Sequence, residues 1–232
     1  MRLYERYRPT TLANVIGQPP VKLMQSIVAN PYACCILLEG PPGTGKTASA
    51  LAMAHDLGCY DPDTWPDDNP PAYSMANCTG LFKVNGADLS VDKARDMLNS
   101  TLRYRYGSKS GFNVLVIEEL EWLSKQCQVF LKTALETSLP HNVIVIATSN
   151  DVTALSTALR QRFKQYFFSG GPAFAEAAIE YLVAIWEKEI PDFPAPTNME
   201  EWGWDDGSFS VRLALDKMQD SMAALSMIGA KR

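Results

Sequence analysis

Strand-like apolar runs at 34–38, 81–84, 114–117 and 143–147 alternate with stretches of helical periodicity. Strands buried on both faces read as unbroken runs of this kind, so the rhythm predicts a parallel sheet flanked by helices, an α/β fold. A further strand-like segment covers 163–168, and the Ala-rich stretch 47–54 predicts a helix closed by Gly58 at its C-terminal cap. Two places break the rhythm. Segment 59–80, with Pro62, Pro66, Pro70, Pro71 and Asp61, Asp63, Asp67 and Asp68, reads as an inserted acidic surface loop. Ser169-Gly170-Gly171-Pro172 ends the sheet-bearing part, and helices are predicted over 173–189 and 211–225, joined by a Pro-rich acidic linker at 191–208. The expected organisation is a sheet-bearing domain over 1–169 and a small helical domain over 170–232.

The apolar share of 47% is ordinary for a globular chain. With no apolar stretch long enough to span a bilayer and no signal-peptide core after Met1, an intracellular, cytoplasmic protein without membrane contact is expected. Five cysteines without a Cys-x-x-Cys pair argue against a disulfide framework or a zinc site, and Cys34 and Cys35 are expected as buried thiols. The formal charge of −5 confines any nucleic-acid contact to a local basic face. Lys93, Arg95, Arg103, Arg105 and Lys109 form a basic stretch, interleaved with Tyr104 and Tyr106. Its centre reads as a stacking and phosphate-contacting surface, or equally as a solvated helix end.

Gly40-Pro41-Pro42-Gly43-Thr44-Gly45-Lys46-Thr47 fills every fixed position of the phosphate-binding loop pattern GxxxxGK[ST]. In that pattern backbone N–H groups turn inward around phosphate oxygens, Lys46 reaches the β/γ-phosphates and the Thr47 hydroxyl ligates Mg²⁺. A strand before the loop and a helix after it, beginning near Ala48, supply the required setting. Pro42, Gly43, Thr44, Gly45, Lys46, Thr47 and Ala48 are therefore the expected ATP contacts. The run at 114–117 ends in Glu118 and Glu119, where a nucleotide hydrolase needs acid groups. The first carboxylate would hold Mg²⁺ and the second would polarise the attacking water. Glu118 stands where Asp is usual, which moves the carboxylate outward by about one bond length.

With these motifs in place the chain resembles the clamp-loader branch of the AAA+ ATPases, the small subunits of replication factor C, the bacterial gamma/tau protein and phage clamp loaders. The resemblance implies a phosphate-loop core with a parallel sheet flanked by helices, followed by a small helical lid. Arg6-Tyr7-Arg8-Pro9 and Val15-Ile16-Gly17-Gln18 are similar to the N-terminal box around the adenine, which makes Arg8, Val15 and Ile16 ATP contacts. Asn85 matches a residue that ties the catalytic glutamate to bound DNA, and 121–136 resembles the DNA-facing helix, adding Lys125 and Lys132 to Arg103 and Arg105 as DNA contacts. Asn150 falls at sensor 1 and Arg212 at sensor 2 of the lid, both directed at the γ-phosphate. Arg162 falls at the arginine finger that serves a neighbouring subunit, with Arg160 a second choice, because Arg-Gln-Arg-Phe departs from the usual Ser-Arg-Cys.

The implied function is an ATP-driven, DNA-associated ATPase using Mg²⁺, assembled with itself or with other AAA+ subunits and acting with a sliding clamp. Its catalytic set would be Lys46, Glu119, Asn150, Arg162 and Arg212. The family's collar domain has no counterpart up to residue 232, which bears on stable pentamer formation. Two other readings stay open. The Arg-Gln-Arg-Phe segment favours a Holliday-junction branch-migration or helicase-type motor, and Glu118 favours an ATP-binding adaptor that hydrolyses little.

Overall fold

Strand β1 (Cys34–Glu39) lies between two neighbours, and that position organises the molecule. The computed structural model describes residues 2–59, 80–103, 108 and 110–229. Of the insert expected over 59–80, residues 60–79 lie outside the described residues, as do Tyr104, Arg105, Tyr106 and Lys109, while the ends of that insert join the core, with Cys59 buried and Gly80 O accepting from Val114 N–H. The sheet is completed by β2 (Leu81–Asn85), β3 (Asn113–Glu118), β4 (Val143–Ser149) and β5 (Lys164–Phe167), in the order β2-β3-β4-β1-β5. Every pairing within it is parallel. Because the chain leaves β1 and returns on both sides of it, a crevice opens at the carboxyl ends of β1 and β4.

Alternate side chains of the buried strands feed two cores. Ile36, Leu38, Val114, Val116, Ile144 and Ile146 face α2 (Val21–Ala29) and α3 (Lys46–Asp56). Cys35, Leu37, Leu115, Ile117 and Val145 face α4 (Val91–Asn99), α5 (Lys125–Thr137) and α6 (Thr157–Arg160). This two-sided burial is why the strands read as continuous apolar runs. Cys34 and Cys35 are buried as expected, and burial pushes their thiols up to about 11 and about 12. Gly58, at φ 79°, follows α3 as the cap that the sequence predicts.

A third core joins α7 (Pro172–Glu189) and α8 (Val211–Gly229). Two features of this part differ from the expectation. Segment 191–208 is more than a linker: it buries Met199 and Trp202 and contributes to the hairpin of β6 (Trp204–Asp205) and β7 (Ser208–Phe209). Asp206 and Gly207 both take positive φ, the conformation that a two-residue hairpin turn needs. The apolar residues of this segment are too sparse to show a period among its prolines and acids. Helix α1 (Leu3–Arg6) packs with this third core, through buried Leu3 and a bond from Leu3 N–H to Gln219 Oε1 at 2.9 Å.

The hairpin is tied to the start of its own part of the chain, and the first residue of α8 reaches the phosphate loop. Phe209 N–H donates to Gly170 O at 2.7 Å, and Val211 N–H donates to Gly43 O at 3.1 Å. A Cβ at Gly43 would overlap Ser210 Oγ, and its φ of 75° also favours glycine.

Candidate nucleotide site

The loop between β1 and α3 is held from inside. Lys46, buried at the first turn of α3, donates from Nζ to Gly40 O at 2.7 Å and Pro41 O at 2.6 Å. Thr44 Oγ1 donates to Pro41 O at 2.9 Å. Burial lowers the Lys46 ammonium to about 8, with Glu121 opposing that shift and Arg212 adding to it. Gln18, itself buried, donates from Nε2 to Thr44 O at 3.1 Å and Ser169 O at 2.9 Å, and accepts from Ser169 N–H. One amide thus joins the N-terminal box, the phosphate loop and the inter-domain segment.

Around this loop a pocket of about 260 Å³ is lined from both domains. Every expected ATP contact borders it: Arg8, Val15, Ile16, Pro42, Gly43, Thr44, Gly45, Lys46, Thr47 and Ala48. Glu119, Asn150 and Arg212 join them. Sequence reasoning missed Tyr4, Tyr7, Thr148, Phe174 and Tyr181. They come from α1 and its C-cap, from β4 and from α7, and only the fold collects them. Arg212 lies over the Tyr4 ring, 5.6 Å from its centroid, so an N-terminal aromatic holds the lid arginine at the pocket edge.

The two glutamates part company at the end of β3. Glu118 is half-buried as the last strand residue and does not line the pocket, whereas Glu119 turns into it with φ 55°. Glu119 N–H donates to Thr148 Oγ1 at 3.2 Å, and Asn85 Nδ2 donates to Glu119 Oε2 at 3.0 Å. Asn150 is anchored as well: its N–H and Nδ2 both donate to Glu121 Oε1, at 3.0 and 3.2 Å. Glu121 Oε2 is buried with no partner among the described residues. Glu121 was not singled out from sequence, although the Glu118-Glu119-Leu120-Glu121 spacing held the signal.

Arg162 lies away from the pocket, with Nη2 on Glu136 Oε2 of α5 at 2.6 Å. Arg160 has its Nε buried without a partner among the described residues. The DNA-contact set is dispersed. Lys125 opens α5 next to the carboxyl edge of the sheet and Lys132 lies further along the same helix. Arg103 sits at the opposite edge, where Leu102 O accepts from Asn113 Nδ2 at the start of β3. A 13-residue helix separates these edges by about 20 Å.

Among the described residues no group of three or more His, Cys, Asp or Glu side chains forms a metal cage. The Thr47 hydroxyl and the Glu118 and Glu119 carboxylates are nonetheless hard oxygen donors of the kind Mg²⁺ takes alongside substrate phosphates.

A sheet of this order with a phosphate loop at its switch point and a lid over it defines a phosphate-loop nucleotide-binding protein of the two-domain kind. The chain belongs to the ATPase family associated with various cellular activities (AAA), whose sequence model matches residues 36–170, more than half its length. It is similar to the replication factor C small subunit of Archaeoglobus fulgidus, 28% identical over 187 residues, covering 80% of this chain and 53% of the relative. Replication factor C subunit 5 of Mus musculus is 27% identical over 190 residues, with 81% and 51% covered. The chain spans about half the length of these relatives, and they agree with the clamp-loader resemblance read from the motifs. Among solved structures, the RuvB Holliday junction branch migration motor of Thermotoga maritima superposes with a TM-score of 0.68 at 20% identity, covering 97% of this chain and 68% of that one. That likeness shows the fold.

Proposed function

We propose that this chain binds and hydrolyses ATP as one subunit of a DNA-associated, clamp-loader-like assembly inside the cell. The observation that carries the reading is the convergence of the phosphate loop, Glu119, Asn150 and Arg212 on one pocket, while Arg162 stays outside it. ATP phosphates would draw Lys46 Nζ away from Gly40 O and Pro41 O, exchanging carbonyl acceptors for anionic ones. Glu119 would orient the attacking water, and its bond to Asn85 restrains that carboxylate until the contact is released. Asn150, fixed by Glu121, would read the γ-phosphate, and Arg212 would approach it from the lid. Arg162 would leave Glu136 to serve ATP on a neighbouring subunit, its charge stabilising the transferring phosphoryl group. Mg²⁺ held by Thr47 and the carboxylates at the end of β3 would neutralise phosphate charge. DNA and a sliding clamp are the partners this reading implies, with Lys125 and Lys132 facing the DNA.

The adaptor reading keeps one specific observation, that Glu118 replaces Asp and stands outside the pocket lining. Steady-state turnover decides between the two, measured with and without primed DNA on complexes first sized in ATP with candidate partner subunits. DNA-stimulated turnover in an ATP-dependent assembly is the expected result. Binding of ATP with no turnover under any of these conditions would replace the ATPase by the adaptor.

A further inference from the structure

Trp122 is the most conspicuous exposed side chain outside the pocket, at 66% of its full accessibility. An exposed indole offers a flat π-face on which another ring can stack. Trp122 ends the short turn Leu120–Trp122 that begins directly after Glu119, and its backbone N–H donates to Glu119 O at 3.0 Å. Ser124 then caps α5, accepting from Cys127 N–H at 3.2 Å, so Trp122 projects from a turn fixed at both ends.

Beyond the cap, Lys125, Val129, Lys132 and Glu136 recur at helical spacing and form one stripe along α5. Val129 is also 66% exposed. The only carboxylate of the stripe, Glu136, is already paired with Arg162, so its two lysines give the face a positive balance. An exposed indole on the turn three residues before a helix that carries two lysines along one stripe matches a strand that offers bases for stacking and phosphates for cations. A protein surface of the usual composition would instead ask for apolar contacts along the length of the stripe, where alternate positions are lysine.

From this arrangement the geometry points to Trp122 as a stacking platform for a nucleobase of single-stranded DNA, with Lys125 and Lys132 contacting the flanking phosphates. The inference rests on the DNA-associated reading above and sharpens it to the strand form and the contact residue. Stacking also has a route to the chemistry. A base seated on Trp122 would bear on the turn that Glu119 caps, and Glu119 is the residue that Asn85 restrains. Occupancy of the platform and release of the carboxylate would then be coupled through one backbone segment.

The test uses the full chain, with its partner subunits where they assemble. It measures anisotropy of a labelled oligo-dT and of a matched duplex across a salt series, together with quenching of intrinsic tryptophan fluorescence. Trp122→Ala should weaken oligo-dT binding about tenfold, remove the quenching and leave the salt slope and the melting temperature unchanged, while Trp122→Phe keeps most of the affinity. Lys125→Ala should instead lower the salt slope by about one. Loss of affinity in Lys125→Ala with none in Trp122→Ala would overturn the platform and leave the DNA reading standing. Equal loss on duplex and single strand would overturn the strand preference. If Trp122→Ala changes assembly size and not oligonucleotide affinity, the surface is a protein contact and the inference fails. Absence of oligonucleotide binding by the unaltered assembly would overturn both the inference and the reading beneath it.

Discussion

The phosphate-loop flank and the Arg162 flank of this chain are built on different terms. Around the loop, the side chains that set the site bond within the same chain, Lys46 to two carbonyls, Gln18 across three segments, Asn150 to Glu121 and Glu119 to Asn85, although Glu121 Oε2 has no partner among the described residues. Around Arg162 the guanidinium makes a single ion pair with a half-exposed glutamate, and its Nε is buried without a partner among the described residues. A site finished within one chain can fold without help. A cation left on a surface acid can exchange that acid for a better anion, and under the proposed trans role that anion would be the γ-phosphate of a neighbouring subunit.

The contrast is broken most directly by Arg162→Ala. If the flank works in trans, this variant keeps ATP affinity while turnover falls about 10³-fold. Mixing it with Lys46→Ala should restore part of the rate, because one interface then pairs an intact loop with an intact arginine. A calorimetric titration and a turnover assay on co-assembled mixtures check both points, and failure to complement would make the arginine local. Next in size is Glu119→Gln, which retains shape and loses charge. ATP binding should persist while hydrolysis drops about 10²-fold, measured as single-turnover product formation.

A smaller effect sharpens the loop side. Lys46 titrates near 8 in the folded, unliganded chain against 10.5 ordinarily, because burial disfavours its charge. At pH below about 8 the ammonium is charged in both folded and unfolded states, and the burial cost is present in full. Between about 8 and 10.5 the unfolded chain binds the proton that the folded chain has released, so unliganded stability rises with pH across that window. Phosphates favour the charged form, so ATP affinity should fall by up to about tenfold per pH unit above 8, with proton uptake on binding. Calorimetry at pH 8.5 in two buffers of different ionisation enthalpy measures that uptake, and Lys46→Met should abolish it. The smallest effect is expected from Glu136→Gln. Freeing Arg162 from a surface pair should raise assembly or turnover by less than about fivefold, since exposed pairs contribute at most about 1 kcal/mol.

What could be read ahead of the structure divides along similar lines. The central strands were legible because they are buried on both faces, so 34–38, 114–117 and 143–147 carry continuous apolar runs. The phosphate loop was legible because its geometry demands fixed glycines and a lysine at fixed spacing. Residues recruited across the fold left no such trace. Tyr4 and Tyr181 meet at the pocket only because α1 packs with the lid helices, a long-range contact that no local pattern encodes. Gln18 belongs to the N-terminal box, yet its two backbone partners, Thr44 and Ser169, are far from it in sequence. The β6–β7 hairpin was hidden by composition, since two-residue strands are too short to show a period.

The contact of α8 with the phosphate loop, just after that hairpin, has a mechanical consequence. Helix α8 starts at the bond from Val211 N–H to Gly43 O and runs for 19 residues, about 28 Å, away from it. The Phe209 bond to Gly170 lies two residues before this attachment, so it acts as a fulcrum beside the short arm of a lever. Were Gly43 to shift enough to tilt α8 by about 10°, the far end of the helix would sweep about 5 Å. A sub-ångström rearrangement around a phosphate oxygen would thereby become a displacement of side-chain dimensions at the rim of the molecule.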